Sequence, residues 1–438
     1  MATTTQLRRA VTSSFLGSVI EYYDFLLYAT ASAVVFNKVF FSSLDPLVGT
    51  IASFGTFATG YLARPLGGVL FGHYGDLLGR KKMLVLTMSL MGVASFLIGL
   101  LPTYAQVGWL APAGLVLLRV VQGISVGGEW GGAVLMSAEH ATSRRGLWAS
   151  FTNAGAPCGM VLSTVALSGT AALVGEQAFL QWGWRVPFLI SLVLLAIGLF
   201  VRTRVEETPV FQAEKKRTSV PLMDVLRNHP RTLLLAVGVG LSAFVAQSTL
   251  TTFILAYGVQ AGNTRQTILN ALTLSSALAV IGILGWSAVS DKVGRRPVVL
   301  AGAVLMAAFG FALFPLVDNG LIVLALVVGQ AVLHPMMYGP LAALYSELFS
   351  TGSRYTGASL GYQLAGLGAG LAPLLFAQVQ VSAGTTAISF ILAAFCVLTV
   401  LCTLALRETS RSSLTGDLSA QRGTGELAGA PGPDGAPA

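Results

Sequence analysis

The chain has 438 residues, of which 54% are hydrophobic and 10% charged, and it carries a formal net charge of +8. A soluble globular protein has roughly 25% charged residues, so the composition excludes a protein whose main solvent is water, and the apolar content excludes a collagen-like or disordered chain. The 50 glycines suit a packed bundle of membrane helices, in which small side chains let backbones approach.

Apolar stretches long enough to cross a bilayer, about 20 residues each, run in chain order over 13–36, 47–71, 83–102, 109–136, 147–172, 184–202, 232–257, 267–289, 297–316, 320–345, 355–380 and 384–406. The first contains Glu21 and Asp24 and has no small-residue cleavage site, so it reads as a retained helix. The longest polar stretch holds Glu206, Glu207, Lys215, Lys216 and Arg217 and separates two sets of six. The expected fold is therefore an all-α integral membrane protein. Its parts are an N-terminal six-helix half (1–202), a central loop (203–231), a C-terminal six-helix half (232–406) and a tail (407–438). Ser, Gly, Ala and Pro dominate that tail, which predicts disorder. Cys158, Cys396 and Cys402 all lie in apolar stretches and read as packing residues, with no disulfide framework.

If every stretch crosses once and the N-terminus is cytoplasmic, 21 of the 26 Lys and Arg fall at the inner ends. Lys38, Arg185 and Arg265 fall outside, and Arg64 and Arg119 lie within spans. Both termini are thus expected in the cytoplasm, with the protein in the cell membrane. The positive charge reports topology and gives no support to a nucleic-acid partner.

After the second span the sequence reads GHYGDLLGRKK, and after the eighth SAVSDKVGRRP; Asp76 and Asp291 lie 215 residues apart, close to half the chain. Glycine permits a sharp reversal, the Asp can pair with a neighbouring helix end, and the cations hold one membrane face. One copy would be an ordinary hairpin; two at this spacing indicate an internal repeat. A second pair, Glu139 with Arg144 and Arg145 and Glu347 with Arg354, repeats at 208 residues.

The duplicated D-x-x-G-R-[RK] loops resemble the signature of the major facilitator superfamily, and Glu347 to Arg354 resembles the cytoplasmic latch of sugar porters. EYYDFLLY (21–28), RPLGG (64–68), RVVQGISVGGEWGGA (119–133), WGWRVPF (182–188) and SRYTGASLGYQ (353–363) are similar to the metabolite:proton symporter family, whose members carry shikimate, α-ketoglutarate, citrate, and proline or betaine. The resemblance spans residues 12–406 and implies the major facilitator fold, a monomer, and proton-coupled uptake of a small carboxylate-bearing metabolite by alternating access. It also implies a cytoplasmic gate of Gly72, Asp76, Gly79, Arg80, Glu139, Arg145, Asp291, Gly294, Arg295, Glu347 and Arg354. One departure is that Arg145 follows Glu139 after five residues instead of six.

Ionisable groups inside the bilayer cost at least about 2.5 kcal/mol each when unpaired, so the few present are the sharpest functional candidates. At 1.5 Å per residue, Asp24 and Arg119 both fall roughly 15 to 18 Å deep. They can meet there as a proton-coupling site, or as a constitutive ion pair. Glu129 is the third candidate, either in coupling or paired to a loop cation. Arg64 either clamps a substrate carboxylate or only packs and snorkels. Tyr28, Gln122, Gln247, Tyr257, Asn270, Tyr338 and Gln363 either line a central cavity or tie helices together. His334 reads as packing or as a relay.

Other classes fare poorly. The four histidines form no HExxH pattern, no metal or cofactor motif occurs, and there is no GxxxxGK[ST] phosphate loop. A transporter is therefore expected, not an enzyme or an ATP-driven pump. The competing reading is a proton-driven exporter of the same superfamily, suggested by GAPCG at 155–159.

Overall fold

The computed structural model describes residues 4–78, 80–141, 143–203, 221–349 and 354–410, and every regular element in them is helical. The principal helices are α1 (Thr4–Val34), α2 (Pro46–Leu78), α3 (Arg80–Leu100), and α4 (Leu110–Gly127), which resumes as Trp130–His140. They continue with α5 (Arg145–Val174), α6 (Arg185–Thr203), α7 (Pro230–Gln260), α8 (Arg265–Val293), α9 (Arg295–Asp318) and α10 (Ile322–Leu348). Arg354–Ala405 is two helices, α11 (354–383) and α12 (385–405), because Gly384 at φ 76° reverses the chain between them.

Among the described residues eight helical stretches are long and apolar enough to cross a membrane, and a bent pair containing α6 makes a ninth. The α11–α12 pair counts there as one. α1 and α2, 31 and 33 residues long, bury Glu21, Asp24 and Arg64 and so fall short on apolarity alone. With these the described residues hold the twelve long helices read from the sequence. α1 begins nine residues before the expected stretch and α2 ends seven after it. The added turns carry Arg8, Arg9 and Asp76, which are helical but too polar for an apolar pattern to reveal. Pro221–Asn228 forms a short helix inside the expected central loop, and Pro230 opens α7, where a missing N–H costs nothing.

The bundle turns apolar side chains to its surface and buries its polar ones within an apolar core, the arrangement a lipid solvent selects. Leu66, Leu117, Ile281 and Leu401 point outward, whereas Ser53, Gln122, Asn153, Ser275 and Gln363 are fully buried. Trp109 and Trp182 are exposed at the ends remote from the basic loops, as interfacial aromatics are.

α2 and α4 meet backbone to backbone along a glycine seam. A Cβ on Gly67 would lie 1.9 Å from the Ile124 carbonyl oxygen, one on Gly127 1.9 Å from that of Arg64, and one on Gly123 2.0 Å from that of Gly60. Gly60 also leaves room for Arg119, whose Nε would lie 2.4 Å from an added Cβ. The seam therefore explains why glycines surround Arg64 and Arg119 in the sequence: it carries both guanidinium groups into the bundle. Gly127→Ala is expected to destabilise the protein by about 2 kcal/mol or more, since backbone cannot yield as a side chain can. Gly55→Ala, with nothing within 4 Å, should be neutral or slightly stabilising. Thermal unfolding of detergent-purified variants checks this, and equal effects at both positions would contradict the seam.

Candidate functional site

α1 places Asp24 fully inside the bundle, where the Ser191 hydroxyl of α6 donates to its carboxylate and the Ser95 hydroxyl of α3 lies against it. Arg119 does not reach Asp24 directly. Its Nη1 donates to Gln122 Oε1 at 3.0 Å, and Gln122 Nε2 donates to Ser95 Oγ at 2.7 Å, so a neutral amide and a hydroxyl stand between the two charges. The guanidinium instead lies over the rings of Phe25 at 3.8 Å and Tyr28 at 4.2 Å, where the π face offsets part of its lost hydration. Its Nε and Nη2 have no hydrogen-bond partner. Those two atoms form the edge that grips a carboxylate bidentately.

Arg64 is held in the same manner. Its Nε donates to Gln363 Oε1 at 2.8 Å, Gln363 Nε2 donates to the Gly127 carbonyl at 3.1 Å, and Nη2 is left without a partner. The rings of Tyr61 and Phe25 lie 5.0 and 5.2 Å from it, and that of Tyr362 5.9 Å. Among the described residues neither arginine has a carboxylate within ion-pairing distance.

Around Arg64 the two halves are joined by hydroxyls. Tyr362 of α11 bonds Tyr22 of α1 at 2.8 Å and Tyr338 of α10 at 2.7 Å. Trp130 stacks on Tyr362 with centroids 3.6 Å apart, and its Nε1 donates to Asn153 of α5. Asn153 in turn donates to the Tyr338 carbonyl at 2.9 Å. Phe244 of α7 packs edge-on against Tyr362 at 4.7 Å.

Of the expected residues, Asp24, Arg64, Arg119, Gln122, Tyr28, Tyr338 and Gln363 thus fall in one contiguous centre, with Tyr28 bonded to Thr56. Glu129 is buried at the break between the two parts of α4. Gln247 lies apart, in a cleft shared with His334. Tyr257 is not brought to the centre: its hydroxyl donates to Asp318 at 2.5 Å, tying α7 to the last residue of α9. Asn270 is exposed and accepts from Gln266. Sequence reasoning missed Tyr22, Tyr362, Ser95, Ser191 and Asn153; the YY and GYQ dipeptides inside motifs already noted were the available signal.

The second feature is a latch on the face bearing the basic loops. Glu347, fully buried, accepts from Arg145 at 3.1 Å and from Arg295 at 3.3 Å. Asp291 accepts from Arg295 at 2.8 Å and from the backbone N–H groups of Gly146 and Leu147 at 2.8 and 3.0 Å, capping α5 from across the bundle. Gly294, at φ 105°, makes the turn between Asp291 and Arg295. Arg354 donates to the Phe349 carbonyl at 3.3 Å, while the arginines that reach Glu347 across space are Arg145 and Arg295. The side chains of Gly72, Asp76, Gly79, Arg80 and Glu139 lie outside the described residues.

The first residues of the expected tail belong to this latch. Glu408 accepts the N–H groups of Arg295 and Arg296 at the start of α9, while Arg296 donates to the Thr403 and Leu404 carbonyls at the end of α12. Burial opposes the Glu408 charge, but the N–H groups of Arg295, Arg296 and Ser410 outweigh it and hold the carboxyl below its usual range. Thr409 Oγ1 donates to Glu347 at 2.7 Å. Glu347→Gln should loosen this face. Cysteine at the fully buried position Ser150, in a chain lacking Cys158, Cys396 and Cys402, should then react with a maleimide at least about tenfold faster. An unchanged rate would mean that Glu347 holds nothing shut.

Comparison with known proteins agrees with this architecture. The sequence pattern of the family described as Major Facilitator Superfamily matches residues 14–373 and 262–430. The chain is 37% identical over 420 residues to the shikimate transporter of Escherichia coli, covering 92% of this chain and 95% of that one. It is 33% identical over 430 residues to the proline/betaine transporter of Salmonella typhimurium, covering 94% and 85%. The solved structure of the proton:xylose symporter XylE of E. coli superposes with a TM-score of 0.74 at 17% identity, over 96% of this chain and 100% of that one.

Proposed function

We propose that this chain, which belongs to the Major Facilitator Superfamily, is a proton-coupled symporter that imports a small carboxylate-bearing metabolite as a monomer. That it is a membrane transporter follows from the family and from relatives aligned over nearly its whole length. The observation that carries the finer reading is Asp24, a fully buried carboxyl in mid-span that Ser95 and Gln122 link to Arg119.

Protonated, Asp24 is neutral and satisfied by the serine hydroxyls. Deprotonated, it demands a cation, and the free edge of Arg119 supplies one if α1 and α4 shift slightly. The same proton thus decides how the helices of the first half pack. Arg64, with Nη2 free beside the tyrosines that join the halves, is the natural site for the substrate carboxylate. Substrate and proton together allow the centre to reclose while the latch on the basic face opens, which is symport by alternating access. The relatives named for shikimate and for proline and betaine all carry molecules with a carboxylate.

Asp24→Asn mimics the protonated carboxyl. Vesicles with this variant should lose proton-driven accumulation by about 100-fold or more, while exchange between equal concentrations persists. Accumulation with wild-type pH dependence would instead make Asp24 a structural group. Wild-type vesicles in which substrate leaves against entering protons would indicate an exporter.

The basic-loop face is assigned to the cytoplasm, with both termini on that side, from the distribution of Lys and Arg. Cysteines introduced at positions 215 and 420 should resist membrane-impermeant labelling in intact cells and react after permeabilisation. Strong labelling of intact cells would invert the orientation.

A further inference from the structure

Beside the tyrosine cluster α7 and α10 each widen into a π-helical turn, Thr249–Phe253 and Val327–Leu333. Such turns cost hydrogen-bond geometry and recur where a helix must aim a side chain into a site. Here both turns border one cleft, lined by Gln247, Thr251, Gln330, His334, Tyr338 and Met160. Gln330, inside the α10 turn, accepts from Ser275 at 2.9 Å and donates to Ser276 at 2.8 Å, so its amide is engaged in holding α8.

His334 is not engaged in that way. It is 4% exposed, one side of its ring lies against the Ala243 backbone, and Nε2 has no partner among the described residues. An imidazole nitrogen left open in this way can bond a ligand hydroxyl. Facing it, the Gln247 side-chain amide makes no hydrogen bond among the described residues. A buried ring nitrogen left open costs stability, which a ligand hydroxyl would recover. The ring of His334 stacks on Tyr338 at 5.1 Å, and the Tyr338 hydroxyl leads through Tyr362 to Arg64.

We infer that this cleft is a hydroxyl-binding subsite, with His334 Nε2 accepting from, and Gln247 bonding to, a hydroxyl at the end of the substrate away from its carboxylate. The substrate class is then a hydroxylated carboxylate, and not a zwitterion whose far end is apolar, such as proline or betaine. This rests on the reading of Arg64 as the carboxylate site.

Binding and transport separate the two claims. The purified protein is titrated with shikimate and with cyclohex-1-ene-1-carboxylate, which keeps the ring and the carboxylate and lacks every hydroxyl. Wild type should prefer shikimate by about tenfold or more, the value of one to two recovered hydrogen bonds. His334→Leu should bring that ratio close to one while leaving the affinity for the deoxy acid unchanged, which also shows that the variant is folded. His334→Gln, which retains an acceptor, should restore part of the preference, and Gln247→Leu should lose part of it. The inference is overturned if both acids weaken equally in His334→Leu, if the ratio stays at its wild-type value, or if wild type binds neither acid or binds betaine more tightly. Proton-driven accumulation in vesicles is scored separately. Its absence with binding intact would overturn symport and leave the subsite standing.

Discussion

Two guanidinium groups lie in the middle of the bundle with no carboxylate of the described residues within ion-pairing distance, and the interior is built around that constraint. Hydration is lost there, so each charge is held by aromatic faces on one side and a glutamine carbonyl on the other. Large aromatic rings and a charged side chain cannot fit between two helices at ordinary spacing. The glycine seam between α2 and α4 removes side-chain bulk at the positions that flank Arg64 and Arg119. Gln122 and Gln363 are there for the same reason: an amide accepts from the cation and passes its own N–H to a neighbour without adding charge.

The centre and the basic face therefore use different chemistry. At the centre, hydroxyls and amides from both halves interlock, each bond modest and neutral, so that replacing one by a ligand group costs little. On the basic face, full charges meet at short range around Glu347 and Asp291. Ionic contacts of this kind are strong when closed and are released into water when open, where both partners are well hydrated. Under the proposed function this division is useful, with weak, exchangeable contacts where cargo would sit and a firm closure at the end.

Much of the fold was legible in the sequence because a bilayer imposes a simple rule on length and polarity. The twelve apolar stretches, the half-chain repeat of Asp76 and Asp291, and the burial of Asp24, Arg64 and Arg119 all follow from it. The contacts that define the site were less legible. Serine is common in membrane helices, so nothing in the sequence sets Ser95 and Ser191 apart from their neighbours until α3 and α6 pack against Asp24. Equal depth suggested that Asp24 and Arg119 touch, yet depth fixes only one coordinate, and the rotation of α4 aims Arg119 at Phe25 and Tyr28 instead. Tyr257 resembled a cavity residue because sequence position cannot show that Asp318 ends α9 beside it. Glu408 and Thr409 sit in a stretch whose composition indicates disorder, and their capping of α9 depends on where α12 ends in space.

Glu347 receives donors from three separate stretches of chain: Arg145 on α5, Arg295 on α9 and Thr409 beyond α12. A single carboxylate shared in this way makes the contacts interdependent. Arg145 comes from the first half of the chain, whereas Arg295 and Thr409 come from the second, so one carboxylate fastens the two halves to each other on this face. A substitution at Glu347 therefore frees three contacts at once, where a substitution at Arg145 or Thr409 frees one.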